Sequence, residues 1–275
     1  AEEEFSPDSG DKVQINLDGV ISHNATKVDD DGFEDEDALG LYAVNYSENN
    51  TVPGTLLVEG NQVDHMKYIL DEENKRWNPV RPVYYKDVNT NVDLYAFYPY
   101  AEPSSVETYN FEVQRDQSTK ETNTKLGGYE ASDFLWGKSE NVTPQESAIR
   151  ITLNHKMAGV RLVLVKGENF DEAGDFDLLA KTALLTGTTR KGSINLSSGV
   201  VSPIGEAQAT GIVMAPQTDA SYRAIAIPQT VASGTNLFSI TIEGVAYTWA
   251  TTEEFTLEAG KLSTFEITIN RKTPN

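Results

Sequence analysis

The 275-residue chain contains no cysteine. That excludes disulfide cross-links, a thiolate nucleophile and a zinc site built on Cys ligands, so its stability has to come from packing and hydrogen bonding. Basic residues are scarce as well. Against 42 Asp and Glu stand 22 Lys and Arg, a net charge of -20. A chain this acidic repels phosphate backbones, which argues against nucleic acid as a partner. Long apolar runs are also missing: no stretch approaches the ~20 residues of a membrane-crossing helix. Histidine is limited to His23, His65 and His155, far apart in sequence and without a neighbouring nucleophile in triad order. His155 reads as a strand-end residue that hydrogen-bonds locally. No HExxH, P-loop or dinucleotide fingerprint occurs. The expectation is a protein without catalytic, metal or cofactor-binding residues, and not an enzyme.

What the chain does have is short apolar alternation with a period of two. Val13, Ile15 and Leu17 alternate near the start, Ile149, Ile151 and Leu153 alternate in the middle, and Phe265, Ile267 and Ile269 alternate near the end. Between them lie the aromatic run Leu94, Tyr95, Phe97 and Tyr98 and the apolar runs 160–165, 224–228 and 237–242. Alternation over four to eight residues, broken by turn residues, is the mark of half-buried strands, and its spacing here predicts an all-β fold of the sandwich kind. Helical signals are weak, at 64–69 and at 176–185, the latter equally readable as a strand. The polar stretch 102–144 reads as loop apart from a strand at 109–113. Val142 to Ser147 has linker composition, which sets the expected division: a tether at 1–11, one β domain at 12–146 and a second at 147–275. The acidic tether, with Ser, Pro and Gly, is of the kind that follows a processed leader. Tyr95, Phe97, Tyr98 and Tyr100, with Trp77, Trp136 and Trp249, offer an alternative reading in which exposed aromatics stack on sugar rings.

Residues 24–37 form an acidic hinge. Lys27 stands there alone beside seven carboxylates: Asp29, Asp30, Asp31, Glu34, Asp35, Glu36 and Asp37. An EF-hand loop needs acids at its first, third and fifth positions before the glycine, and Lys27 occupies the first of these before Gly32. A solvated loop is the better reading, with Lys27 presented to a trypsin-like protease. A cut there separates the first strand, Val13, Ile15, Leu17 and Ile21, from the rest. In a β protein that opens a sheet edge able to take a strand from another molecule.

Seven segments in order carry a resemblance over nearly the whole chain. They are Gly40-Leu41-Tyr42-Ala43-Val44, Asp93-Leu94-Tyr95-Ala96-Phe97-Tyr98-Pro99-Tyr100, Asp133-Phe134-Leu135-Trp136-Gly137, Leu153-Asn154-His155-Lys156-Met157-Ala158, Ala226-Ile227-Pro228-Gln229-Thr230, Tyr247-Thr248-Trp249 and Leu257-Glu258-Ala259-Gly260-Lys261. Together they resemble the fimbrillin family of Gram-negative gut and oral anaerobes. Ala25-Thr26-Lys27 resembles that family's Ala-Thr-Arg processing site, with Lys in place of Arg. The resemblance implies two transthyretin-like β-sandwich domains and a lipoprotein precursor anchored at the outer membrane. It implies a pilin or a tip or accessory role in a cell-surface fimbria serving adhesion, with other pilus subunits as partners by strand exchange. Phe265, Ile267 and Ile269 are the candidate exchange strand; with only 270–275 following, either that strand swings out or the subunit only receives one. The alternative is a surface lipoprotein that binds a glycan or host protein without polymerising.

Overall fold

The computed structural model describes residues 12–21, 32–171, 175–207 and 210–272. The protein is almost entirely β. In the first half, β1 (Leu17–Ile21), β2 (Ala38–Asn45), β3 (Val63–Asp71), β4 (Arg76–Pro79), β5 (Val92–Tyr98), β6 (Tyr109–Glu112), β7 (Leu135–Val142) and β8 (Ile149–His155) follow one another. Then come β9 (Ala158–Lys166), one helical turn α1 (Asp175–Leu178), β10 (Lys181–Leu185), β11 (Lys191–Ile194), β12 (Val201–Ile204), β13 (Ile212–Val213) and β14 (Ala215–Pro216). The chain ends with β15 (Tyr222–Ala226), β16 (Gln229–Val231), β17 (Asn236–Ile242), β18 (Val245–Ala250), β19 (Phe255–Leu257) and β20 (Leu262–Ile269).

Seven strands close on themselves in the order β1-β4-β3-β2-β5-β7-β8. Closure leaves no free edge in this sheet. Its interior holds Ile15, Leu17, Leu39, Leu41, Tyr68, Trp77, Leu94, Ile151 and Leu153, all buried. In the second half, β14-β15-β9-β20 and β13-β10-β17-β18 form two four-stranded sheets. Their core gathers Val160, Leu162, Leu185, Ile225, Phe238, Ile240, Ile267 and Ile269.

The two cores share a wall. Along β5, Val92, Leu94, Ala96 and Tyr98 face the barrel interior while Tyr95 and Phe97 belong to the second core, and β2 divides likewise between Leu39, Leu41 and Ala43 on one face and Tyr42 and Val44 on the other. Alternation with both faces apolar is how a strand reads when both sides are covered. The consequence for the aromatic run is direct: Tyr95, Phe97 and Tyr98 are buried, and Trp77 and Trp136 are buried with them.

Other contacts cross between the halves. β6 pairs with β11 from Tyr109↔Ile194 to Lys191↔Glu112. Gln117, itself buried, behaves like a short piece of strand: its Nε2 donates to the Ile225 carbonyl at 2.8 Å and its Oε1 accepts from the Ile225 N–H at 2.7 Å. Trp136 Nε1 donates to the Leu196 carbonyl at 2.7 Å. β8 lies beyond the linker at 142–147 and nevertheless closes the barrel, so the hydrogen-bonded sheet continues past residue 146. The segment 64–69, a weak helix signal, lies inside β3, where pairing with β2 and β4 overrides the local pattern. At 176–185 the chain makes the single turn α1 and then β10.

Candidate functional site

The N-terminal strand is an interior member of the barrel. β1 runs parallel to β8 over five residue pairs, Leu17↔Ile149 through Ile21↔Leu153, and meets antiparallel β4 at one pair, Leu17↔Trp77. The alternating run expected over 13–21 divides in two. Its first part, ahead of β1, is bridged to the 83–85 segment instead: Gln14 pairs with Tyr84, the Ile15 N–H donates to Val83 at 2.9 Å and the Tyr85 N–H donates to Val13 at 3.0 Å.

The inward side chains are those the alternation predicts. Ile15 and Leu17 are buried, Val13 and Ile21 are half-buried, and Gly19 is buried between them. Full burial of an Ile or Leu stabilises by about 1.5–3 kcal/mol, so the strand is held largely by two side chains and its ladder. Two aromatic side chains add backbone anchors. Tyr68 Oη donates to the Ile15 carbonyl at 2.8 Å, and Trp77 Nε1–H donates to the Gly19 carbonyl at 3.3 Å. Burial pushes the Tyr68 hydroxyl well above the usual tyrosine range, so it stays a donor at every physiological pH.

Where β1 ends, Ile21 joins Phe33, Tyr98, Leu126 and Leu135 around a cleft rimmed by Glu34, Asp37, Glu121, Glu130 and Asp133. Tyr98 Oη donates to Asp37 at 3.3 Å, and the Glu34 N–H donates to the same carboxylate at 2.7 Å. Burial, with Glu34 and Glu72 adding like charge, raises the Asp37 carboxyl above its ordinary 3.8 despite these donors. Asp133, in the connection that leads into β7, is paired with His155 Nδ1 at 2.8 Å. Among the described residues no group of three or more His, Cys, Asp or Glu is arranged to hold a metal ion.

The second candidate segment lies elsewhere. β20 pairs in parallel with β9 over eight positions, from Leu262↔Gly159 to Ile269↔Lys166, and forms an edge of its sheet. Phe265, Ile267 and Ile269 face the core together, as the alternation predicts, with Thr264, Glu266 and Thr268 exposed. Phe265 packs on Phe238, Phe255 and Trp249 at centroid distances of 5.2, 5.3 and 5.8 Å. The two candidate strands thus belong to different sheets. Lys27 and the tether at 1–11 lie outside the described residues.

The residues that the sequence did not single out for this site are Trp77, Leu39, Tyr68 and Gly19. The one available signal was Trp77 itself, a large aromatic in the short polar run Arg76-Trp77-Asn78.

Residues 26–275 match the family described as fimbrillin-like. Among solved structures, the chain is similar to a candidate cell adhesion protein from Bacteroides uniformis, with 20% identity, coverage of 94% of this chain and 93% of that one, and a TM-score of 0.62. It is similar to a candidate cell adhesion protein from Bacteroides ovatus at 16% identity, over 94% and 93% of the two chains, with a TM-score of 0.67. A fimbrial protein from Bacteroides ovatus also matches, at 16% identity and a TM-score of 0.55, over 95% of this chain and 51% of that one. Identities this low carry the fold. No curated protein matches the sequence.

Proposed function

The chain belongs to the fimbrillin-like family, and from that premise we propose that it is a subunit of a cell-surface pilus, assembled by strand exchange after a cut at Lys27 and serving adhesion. The observation that carries this reading is the position of β1. The family match begins at residue 26, so β1 is the one barrel strand outside it. Loss of β1 would leave β4 and β8 as two facing ladder edges over an apolar slot. Unpaired backbone groups and exposed apolar surface are both costly, and a strand from a neighbouring subunit restores both at once.

The partners in this reading are other pilus subunits, a trypsin-like processing protease and the surface to which the fimbria adheres. A lipid anchor on a precursor would hold the subunit at the outer membrane before cutting. The chain is a structural protein with no catalytic role, folded as two transthyretin-like units. A glycan-binding reading loses its main support, because the aromatics of β5 are buried.

Limited trypsin digestion of the monomer, followed by mass spectrometry and size-exclusion chromatography, tests the reading. A first cut after Lys27 with higher-order species, alone or on addition of other subunits, is the expected result. Resistance of Lys27, or a cut chain that takes up no strand from any source, overturns it.

A further inference from the structure

The slot occupied by β1 changes width along its length. It takes whole side chains at Ile15 and Leu17, both buried, and closes at Gly19. A Cβ at Gly19 would lie 3.3 Å from Leu39 Cδ2 and 3.4 Å from both Cε2 and Nε1 of Trp77. The backbone of Gly19 is not in the left-handed region, so the position demands room rather than glycine's conformational freedom. Alanine there needs its neighbours to move by a few tenths of an ångström. Anything larger has to displace the Trp77 ring. That ring is held on two sides: its Nε1–H donates to the Gly19 carbonyl at 3.3 Å, and Phe33 packs edge-on against it with a centroid distance of 4.9 Å.

We propose that Trp77 and Leu39 select the strand that enters this slot, and that it comes from a different subunit carrying glycine opposite Trp77. The proposal rests on the strand-exchange reading above. The incoming strand has apolar residues at the places of Val13, Ile15 and Leu17, followed at the next inward position by glycine. Because inward positions recur every second residue, a slip by two brings a bulky side chain onto Trp77, so the same contact fixes register.

A second copy of this chain does not supply such a strand from β20. With Phe265, Ile267 and Ile269 in the three apolar places, the next inward residue is Arg271 in the direction of β1 and Ser263 in the reverse direction. Gly260 is an even-numbered residue, on the face opposite these three, and no register brings it to Trp77 together with them. β20 also completes its own sheet over eight pairs.

The test uses the full chain cut after Lys27, with fluorescently labelled peptides competing for the slot and anisotropy as the readout. Four peptides are compared: residues 13–21, the same peptide with Gly19→Ala, the same with Gly19→Val, and residues 261–271 of β20. The unaltered peptide is expected to exchange in, the Ala peptide to bind ~3–10-fold more weakly, and the Val and β20 peptides at least ~30-fold more weakly, in line with the cost of overpacking a filled core. A chain carrying Trp77→Ala, or Leu39→Ala where the first fails to fold, is expected to accept the Val peptide within ~3-fold of the unaltered one. Equal uptake of the Val or β20 peptide by the unaltered chain overturns the selection. Failure of the unaltered 13–21 peptide to enter overturns the strand-exchange reading, and the proposal with it.

Discussion

β1 and β20 are built alike and situated differently. Both alternate apolar and polar residues, and both run parallel to a single long-paired neighbour, β8 for one and β9 for the other. β20 is an edge, so its loss would move the edge of the sheet one strand inward, to β9. β1 is a link in a closed barrel, and its loss would create two edges facing each other across a slot. Yet β1 is the shorter of the two, with five pairs on one side and one on the other, and it includes a glycine whose Cβ position lies 3.3 Å from Leu39 and 3.4 Å from Trp77. A strand is replaceable when its removal leaves a complete template and when its own hold is modest. On the strand-exchange proposal, β1 is the strand that fits both conditions.

The largest effect that would separate the two strands comes from placing a carboxylate in each core. Ile267→Asp is expected to lower global stability by about 3–5 kcal/mol, since the core it enters, with Phe238, Ile240 and Leu162, is apolar. Leu17→Asp introduces the same chemistry but has an escape, because β1 can leave the slot. Hydrogen exchange read by mass spectrometry distinguishes them. In Leu17→Asp, amides of β1 and β8 lose protection while β9 and β20 keep theirs; in Ile267→Asp, β9, β15 and β17 lose protection together. Simultaneous loss over the whole chain in both variants would mean that β1 has no local stability of its own.

Much of this contrast was legible in the sequence and its decisive part was not. Alternation identified Ile15 and Leu17, and Phe265, Ile267 and Ile269, as inward-facing residues, because a period of two is a property of the local chain. The all-β class followed from the same pattern. Strand partners did not. Nothing local marks Ile149 to His155, which follows a linker-like run, as the strand that closes a barrel begun 132 residues earlier, at Leu17. Met66 and Ile69, three apart, mimic a helical spacing, and only pairing with β2 and β4 makes their segment a strand. Gly19 is the clearest case. In the run Leu17-Asp18-Gly19-Val20 it reads as a neutral residue, and the crowding around it comes from Leu39 and from Trp77, 58 positions away. Tyr95 and Phe97 are legible as one face of a strand, but whether that face meets water or a second core depends on the other half of the molecule.

A smaller effect isolates one anchor. Tyr68→Phe removes the hydroxyl that donates to the Ile15 carbonyl and leaves that carbonyl buried, at a cost of about 1–2 kcal/mol. The ring still fills its place in the barrel, so packing is retained. The expected outcome is that the resident strand is released from the cut chain roughly 5–30-fold faster, the corresponding factor for that energy. Protection of β20 amides is expected to stay unchanged. Unaltered exchange would assign the hold on β1 to its ladder and to Leu17 instead.

The smallest effect concerns charge, which also differs between the exits of the two strands. The chain beyond β20 is basic, with Arg271 set over Phe170 and Lys272 over Tyr247, whereas the cleft at the end of β1 is rimmed by carboxylates. Asp37 is the member of that rim whose carboxyl is raised, first by burial and then by Glu34 and Glu72, against the opposing donors Glu34 N–H and Tyr98 Oη. A raised carboxyl means that the folded protein holds its proton more tightly than the unfolded chain does. Between the ordinary value of 3.8 and the raised one, the folded state therefore binds more protons, and stability falls as pH rises through that window. At neutral pH the penalty is fully present. Asp37→Asn keeps the acceptor for the Glu34 N–H and removes the charge, so it is expected to stabilise the protein by about 0.5 kcal/mol at pH 7, a size typical of a partly solvated site. The gain should shrink as pH falls into the window and vanish below 3.8. Melting temperatures of the two proteins between pH 3 and 8 check this, and added protection should be confined to amides of β1 and its neighbours. A gain that persists at the lowest pH would trace to the amide's hydrogen bonding rather than to relief of charge at the mouth of the slot.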